Sequence, residues 1–226
     1  MSQQRTSTHP TPRFRGRSDL TGAVAFDIET INLVPQPDIE FSDPTHWCLF
    51  AVPVGYRDPD GTVETDVLIR PGSTLCDERK LIDDVIEWIR DRRPARLVTF
   101  NGDYYDLPVI RHRARVTTRE CRGHYTTYDD LQLVLDAVDH HDLFIQVKRQ
   151  AGYNVKLESA LQYHDIDTVE TTLNGDVITG ADMPELGLKI LSGEATSEEI
   201  DAVREYAESD VQPLFQLETA VEQDRE

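Results

Sequence analysis

The sequence predicts an α/β fold in which a mixed central sheet is flanked by helices. Three early segments have the composition of strands, at residues 23–30, 47–56 and 62–69, and the turn sequence RDPDG separates the last two. Apolar residues then recur at helical spacing from 81 to 89, and the apolar run 95–100 predicts a fourth strand. We therefore expect three antiparallel strands, with the fourth joined to them across a helix.

The rest of the chain is predicted to be mainly helical. The predicted elements are a helix that Asp77 caps and that ends before Pro94, a helix at about 105–115, a mainly helical section at 126–170, a hairpin around Asn174-Gly175, and a long helix from Ser197 to about Glu222.

The length of 226 residues favours one domain, and we place it at residues 21–226. Residues 1–20 are polar and carry four arginines against one acid, so we predict a disordered basic tail there.

The charge composition is extreme. The formal net charge is −19; 19 of the 23 basic residues are Arg, and Asp outnumbers Glu by 25 to 17. A Lys-poor, Asp-rich chain is typical of proteins from salt-loaded cytoplasms, where self-repulsion is screened. We therefore predict a halophilic protein, and on this interpretation the acidity does not exclude nucleic acid as a partner.

Targeting signals and cysteines point to a cytoplasmic protein. No apolar run approaches the roughly 18–20 residues of a membrane span, and the N-terminus lacks the apolar centre of a secretory signal, so no membrane partner is expected. Cys48, Cys76 and Cys121 are few, odd in number and scattered. They predict neither a disulfide framework nor a zinc site, and hence a reduced intracellular protein.

Two carboxylates interrupt the first strand, in the stretch AVAFDIET. Alternation puts Val24, Phe26 and Ile28 on one face, and Asp27 and Glu29 on the other. Like charges two residues apart are costly to bury unless a cation lies between them. The strand is therefore either an edge strand with a solvated face or part of a divalent-metal site.

A third carboxylate lies on the apolar stripe of the last helix. Helical spacing places Asp210 on that stripe, with Tyr206 one turn before it. Either Asp210 lies at the rim or at a bend and pairs with an arginine, or it faces a functional site.

The fourth strand is followed by the stretch NGDYYD, at the strand-to-helix junction where open α/β sheets hold ligands. Asn-Gly favours a turn, and Asp103 is interpreted as a helix cap. Asp106 is kept as a candidate site residue.

Together the three stretches resemble the exonuclease motifs of the DEDD superfamily, the DnaQ-like 3′–5′ exonucleases with an RNase H-like fold. FDIET matches the first motif, NGDYYD the second and YAESD the third, whose tyrosine marks the DEDDy subgroup. The sequence FNGDYYDLPVI is most similar to proofreading domains of family B DNA polymerases and to stand-alone RNase H-like exonucleases. The resemblance spans about residues 20–220, so we expect a nuclease without a polymerase domain.

The resemblance implies a site and a mechanism. Asp27, Glu29, Asp106 and Asp210 would bind two divalent ions, Mg²⁺ or Mn²⁺, and Tyr206 would orient the attacking water. The substrate would be the 3′ end of single-stranded DNA or RNA, hydrolysed from 3′ to 5′. The expected substrate contacts are Asn101, Tyr105, Arg111, Arg113 and Arg115, although Asn101 also suits a structural role, Tyr105 a core position, and the arginines a solvated helix face.

Rival interpretations stay open at this stage. A related site could cut internally as an endonuclease, or the chain could be a nucleic-acid-binding module that does no chemistry or needs a protein partner. The stretch VDHHDLF looks like a metal cluster, but adjacent histidines on one element point apart. We expect Asp142 to cap a helix or to support the site indirectly.

Overall fold

The computed structural model describes residues 20–224 of the chain, so the predicted basic tail lies, except for Leu20, outside the described residues. A six-stranded sheet forms the centre. Its strands are β1 (Ala23–Phe26), β2 (Glu29–Asn32), β3 (Trp47–Arg57), β4 (Val63–Ile69), β5 (Arg96–Thr99) and β6 (Asp139–Asp142), and a separate hairpin is formed by β7 (Thr172–Leu173) and β8 (Asp176–Val177).

The long strand β3 organises the sheet. One edge of β3 pairs antiparallel with β4. The other edge pairs antiparallel with both β1 and β2, which lie one after the other along it. Strand β5 pairs parallel to β1, and β6 pairs parallel to β5. The predicted mixed sheet of antiparallel and parallel strands is therefore confirmed, and three parallel strands end at one edge.

Helices cover both faces of the sheet. They are α1 (Leu75–Arg92), α2 (Asp106–Glu120), α3 (Thr127–Ala137), α4 (Leu143–Ala151), α5 (Leu157–Tyr163), α6 (Met183–Ser192), α7 (Ser197–Val211) and α8 (Leu214–Gln223). The first three pack against the face that carries Val24, Phe26 and Ile28. Helices α4, α5 and α8 pack against the face of Ala23 and Ala25, and α6 and α7 extend that layer over β2 and β3.

Two predicted elements are interrupted. The strand predicted at 23–30 breaks after Phe26 and resumes at Glu29, and its register against β3 shifts between Glu29 and Thr30. The long last helix divides at Pro213, which has no backbone N–H to continue the hydrogen-bond ladder. Helix α1 begins earlier than predicted, because Thr74 is its N-cap and Asp77 is the partner three residues on in a capping box.

Two elements were not predicted. Strand β6 lies in the section expected to be mainly helical, and α6 follows the predicted hairpin, which the structure confirms at Asn174-Gly175. The four residues of β6, DHHD, carry no apolar alternation, because this strand lies at the edge of the sheet and its side chains make polar contacts.

The expectation that the cysteines form no disulfide is wrong. Cys76, in the first turn of α1, is joined by a disulfide to Cys121, which follows α2. Cys48 is free and buried. Spacing could not reveal this pair, because the two cysteines are 45 residues apart and only the packing of α1 on α2 brings them together.

None of the helices within residues 20–224 is both long and apolar enough to cross a membrane.

Candidate active site

Carboxylates from three separate elements converge at the edge where the parallel strands end. One oxygen each from Asp27, Glu29 and Asp210 lie within 4.8 Å of one another. Asp106, the first residue of α2, is buried beside Asp27, and the two carboxyl groups are hydrogen-bonded. The structure therefore brings together all four acids that the resemblance implied.

The break between β1 and β2 presents the first two acids. The N–H of Asp27 donates to the carbonyl of Pro53 on β3, which keeps this residue attached to the sheet. Ile28 packs with Val24 and Phe26 in the core, so the two acids on either side of it face the other side of the sheet. Helix α7 lies over β3 on that side and supplies Asp210.

Burial and mutual repulsion disfavour the charged forms of these groups. Burial raises the pKa of Asp27 to about 6, although the backbone N–H of Ile28 opposes the shift. Burial also raises the pKa of Glu29, and the charges of Asp27 and Asp210 raise it further. The pKa values of Asp106 and Asp210 are raised for the same two reasons, burial first and then the neighbouring Asp27.

The acids fit a divalent cation. Among the described residues, no Lys, Arg or His forms an ion pair with any of the four. The Oδ2 atom of Asp106 is buried and accepts a hydrogen bond from no donor within residues 20–224. A cluster of carboxylate oxygens without a cationic side chain is the ligand set that Mg²⁺ and Mn²⁺ prefer.

Tyr206 lies on α7 one turn before Asp210, and its hydroxyl opposes the rise in the pKa of that carboxyl group. Burial and the nearby charges of Asp210, Glu29, Asp27 and Glu158 raise the pKa of the phenol, so the hydroxyl keeps its proton. Gly180 approaches this hydroxyl so closely that a Cβ there would lie 3.2 Å from it.

The loop between β5 and α2 holds the other motif-two residues. Asn101 has a positive φ of 71°, and its carbonyl accepts from the N–H groups of Tyr104 and Tyr105. The hydroxyl of Tyr105 lies 2.8 Å from Oγ1 of Thr30, and its ring packs edge-on against Trp47. Tyr105 thus has the core role that was left open for it and also lines the site.

Asp103 does not cap α2, contrary to the prediction. Residue Tyr105 occupies the N-cap position and offers no side-chain cap, while the carboxylate of Asp103 lies 3.3 Å from Nδ1 of His140. The prediction failed because the turn after Asn101 moves Asp103 out to the edge strand β6.

Two cavities flank the carboxylates. One, of about 730 Å³, is bordered by Glu29 and by the aromatic residues Phe41, Trp47, Tyr104 and Tyr105. The other has a volume of about 810 Å³. Its wall includes Asp27, Asp210, Tyr206, Phe144, Asn154 and Lys156. Asn101, Gly180 and Ala181 border both cavities. The acids therefore lie where two grooves meet.

The three predicted arginines have different surroundings. Arg113 is buried and donates two hydrogen bonds to Glu78, at 2.7 and 2.6 Å, so its guanidinium is not available to a substrate, and that prediction is wrong. Arg115 is exposed and lies over the ring of Tyr128. Arg111 is half-buried, and its Nε has no hydrogen-bond partner. Helical periodicity explains the difference, since Arg111 and Arg115 share one side of α2 and Arg113 points inward.

Comparisons with known proteins agree with this geometry. The family profile described as "DNA polymerase family B, exonuclease domain" matches residues 57–127, which include the second motif. The chain is similar to the exonuclease domain of family B DNA polymerases. The resemblance read from the three motifs is therefore confirmed.

Two curated relatives and one solved structure support the similarity to a family B exonuclease domain. The catalytic subunit of DNA polymerase epsilon from Saccharomyces cerevisiae is 30% identical over 106 residues, which are 40% of this chain and 4% of that protein. The corresponding polymerase epsilon protein of Eremothecium gossypii is 45% identical over 40 residues, 18% of this chain and 2% of that protein. The chain thus spans a small fraction of the relatives it matches.

The solved structure is the family B DNA polymerase from the hyperthermophilic archaeon Pyrobaculum calidifontis. It superposes with a TM-score of 0.59 and 16% identity, covering 95% of this chain and 25% of that one. At this identity the match shows the fold alone, the α/β fold with a mixed sheet that the sequence predicted.

Sequence reasoning missed the aromatic wall around Glu29. Phe41 and Trp47 lie in and after the Pro-rich loop that follows the first motif, and their rings are 5.3 Å apart. The sequence signal that could have identified them is a pair of aromatic residues, one within and one directly after the loop that follows a strand of the site.

Proposed function

We propose that this protein is a metal-dependent 3′–5′ exonuclease that hydrolyses the terminal phosphodiester bond of single-stranded nucleic acid. The observation that carries the proposal is the convergence of Asp27, Glu29, Asp106 and Asp210, with no cationic side chain paired to them among the described residues. The similarity to family B exonuclease domains supports the same conclusion.

The four carboxylates would hold two Mg²⁺ or Mn²⁺ ions. Four negative charges balance the charge of two divalent cations, and Asp27, which lies next to the other three, is suited to bridge them. When bound, a pair of such ions activates a water molecule and stabilises the departing 3′ oxygen.

Tyr206 would orient the attacking water. Its hydroxyl lies near Asp210 and retains its proton, so it can donate a hydrogen bond to the water but does not serve as a base at neutral pH. The close approach of Gly180 limits where that hydroxyl can move.

The two cavities suit two successive nucleotides. The cavity beside Glu29 has aromatic walls on which a base can stack, so it would take the 3′-terminal nucleotide. The cavity beside Asp210 would take the preceding nucleotide, with Lys156 available to its phosphate. In this arrangement the scissile phosphate would lie at the carboxylates, between the two cavities.

The outer side of α2 offers further phosphate contacts. Among the described residues, Arg111, Arg115 and Arg119 of α2 form no ion pair, although the chain carries a net charge of −19. Unpaired arginines in an otherwise acidic protein favour a polyanionic partner.

The decisive experiment is a cleavage assay with purified protein in molar KCl, Mn²⁺ or Mg²⁺, and a 5′-labelled single strand. We expect a ladder that shortens from the 3′ end and disappears with EDTA or in the double variant Asp27→Ala/Glu29→Ala. Parallel DNA and RNA strands would define the substrate, and a circular single strand would detect internal cutting.

Tyr206→Phe provides the matched test of the site assignment. This variant keeps the ring and all four carboxylates, so we expect normal Mn²⁺ affinity and a kcat lower by roughly 10²-fold, as for a group that acts on a proton or water. Mn²⁺ binding without cleavage of any strand by the unmodified protein would refute the exonuclease proposal and favour a binding module.

A further inference from the structure

Strand β6 connects directly to the loop that carries the second motif. The carboxylate of Asp142, its last residue, is buried and accepts three backbone hydrogen bonds. Its Oδ1 accepts from the N–H of Phe144 at 3.0 Å and from that of Asn101 at 2.9 Å, and its Oδ2 accepts from the N–H of Asp103 at 3.0 Å.

These contacts exceed what a helix cap needs. Capping α4 requires only the bond to Phe144, one of three. The other two reach the β5–α2 loop, 39 and 41 residues earlier in the chain. Hydrogen bonds to an ionised carboxylate are about twice as strong as neutral ones, so the loop is held firmly at both of these N–H groups.

The loop that Asp142 holds determines where Asp106 lies. Asn101 adopts a left-handed conformation that asparagine tolerates but does not prefer, so an outside contact is needed to keep it. From there the carbonyl of Gly102 accepts from the N–H of Leu107, and α2 starts at Asp106. Since Tyr105 gives α2 no side-chain cap, these bonds are what fix the start of the helix.

His140 adds a second contact from the same side of β6. Residues two apart on a strand share a face, and Nε2 of His140 lies 2.8 Å from Oγ1 of Thr99 while Nδ1 lies 3.3 Å from Asp103. His141 points the other way and contacts the buried Glu218 at 3.0 Å. Glu218 also pairs with Arg57 and Arg96, whose guanidinium groups already balance its charge, so it has no need of a metal ion.

We propose that Asp142 and His140 are positioning residues, a clamp on the β5–α2 loop that places Asp106 for divalent-metal binding. The inference rests on the proposed function of the site, but it concerns residues outside the carboxylate set. It also accounts for part of the stretch VDHHDLF, in which Asp142 and His140 support the site without binding metal.

The test compares Asp142→Asn with a matched control, Asp77→Asn. The side-chain oxygen of asparagine at position 142 can still accept two hydrogen bonds. Its NH₂ group, however, would face a backbone N–H of the β5–α2 loop, and two donors cannot form a hydrogen bond with each other. The control removes a cap carboxylate of the same kind from α1. The measurements are the Mn²⁺ dissociation constant by calorimetry without substrate, kcat and KM on the labelled strand, and thermal unfolding in EDTA.

We expect Asp142→Asn to weaken Mn²⁺ binding, or to lower kcat, by roughly 10- to 100-fold, as is typical when a residue supporting a metal ligand is changed. KM should change little, and additional Mn²⁺ should recover part of any rate lost through weaker binding. Asp77→Asn should lower the unfolding temperature without altering either quantity.

Equal Mn²⁺ affinity and kcat in Asp142→Asn and the unmodified protein would overturn the proposal. If Asp142→Asn does not fold, His140→Ala tests the same clamp, and unchanged Mn²⁺ affinity and kcat in that variant would refute it. An unmodified protein that binds Mn²⁺ but cleaves no strand would refute the exonuclease function alone, because the affinity comparison needs no substrate.

Discussion

At the scale of single residues, the four carboxylates show a conflict between stability and function. Each is buried to some degree, and no basic side chain among the described residues pairs with them. Buried charges without partners shift towards the neutral form, and the raised pKa values of Asp27, Glu29, Asp106 and Asp210 express that cost. A bound divalent cation would favour the charged carboxylates and so offset this free-energy cost.

The first prediction follows from Asp27. Its pKa in the folded protein is about 6, above the ordinary value of 3.8, so its contribution to stability is complete below about pH 4 and is lost as the pH rises through 6. Asp27→Asn removes this loss. In EDTA at pH 8 we expect the variant to be more stable than the unmodified protein by up to about 3 kcal/mol, since each pKa unit corresponds to 1.36 kcal/mol.

Urea unfolding at pH 4.5 and pH 8 in EDTA measures the effect. The gain should fall to about 1 kcal/mol at pH 4.5, which lies between the two pKa values, and the exposed Asp176→Asn should show no such dependence. A variant that is equally stable or less stable than the unmodified protein at pH 8 would contradict the assignment of a buried, unpaired charge to Asp27. Saturating Mn²⁺ should make the unmodified protein the more stable of the two, because the ion stabilises only that protein.

At the scale of elements, periodicity predicted which faces carry the site. The alternation in AVAFDIET and the apolar stripe of the last helix placed Asp27, Glu29 and Asp210 correctly, because these patterns depend only on local geometry. Strand β6 could not be predicted, because four polar residues at a sheet edge have no periodic signature, although Asp142 was expected to cap a helix and does cap α4. The irregular register between Glu29 and Thr30 was also hidden, since a bulge depends on the partner strand β3.

The second prediction separates two arginines on α2. Arg113 neutralises the fully buried Glu78, which also accepts from the N–H of Leu49, and Arg70 lies 3.7 Å away. Arg113→Ala leaves that carboxylate largely uncompensated, so we expect a loss of about 3–5 kcal/mol in the free energy of unfolding. Arg115→Ala should change stability little, because this side chain is exposed.

Binding to a single strand should show the opposite pattern. Arg115→Ala should reduce the slope of log affinity against log salt by about 0.7, the value for one lost phosphate contact, whereas Arg113→Ala should leave it unchanged at temperatures where the variant is folded. Fluorescence anisotropy in Ca²⁺, which limits cleavage, gives both slopes. A reduced slope in Arg113→Ala alone would contradict the burial of that residue.

At the scale of the whole molecule, the order of strands and helices predicted the fold class, while contacts distant in sequence stayed hidden. The disulfide between Cys76 and Cys121 is such a contact, and it leads to the third prediction. It closes a loop of about 45 residues, so the loss of loop entropy in the unfolded chain is worth about 4 kcal/mol. Cys76→Ser should therefore lower the free energy of unfolding by about 2–4 kcal/mol.

Thiol titration of the denatured, unreduced protein checks the pairing independently. We expect one reactive thiol, Cys48, in the unmodified protein and two in Cys76→Ser. Reducing agent should bring the unmodified protein to the stability of the variant. Three reactive thiols before reduction would mean that the two cysteines lie close together but remain unbonded under those conditions.

The last prediction concerns the net charge of −19, which the fold must accommodate over its whole surface. Repulsion among so many acids destabilises the compact state, and salt shortens the Debye length from about 10 Å at 0.1 M to about 3 Å at 1 M. We expect urea midpoints in EDTA to rise steeply with KCl up to about 0.5 M, at constant m value. Each 1 kcal/mol gained should raise the unfolding temperature by roughly 2–4 °C.

Screening should level off once the Debye length is shorter than the spacing of surface charges, whereas general salting-out continues to increase with concentration. Midpoints that do not respond to KCl below 0.5 M would contradict the halophilic interpretation of the composition.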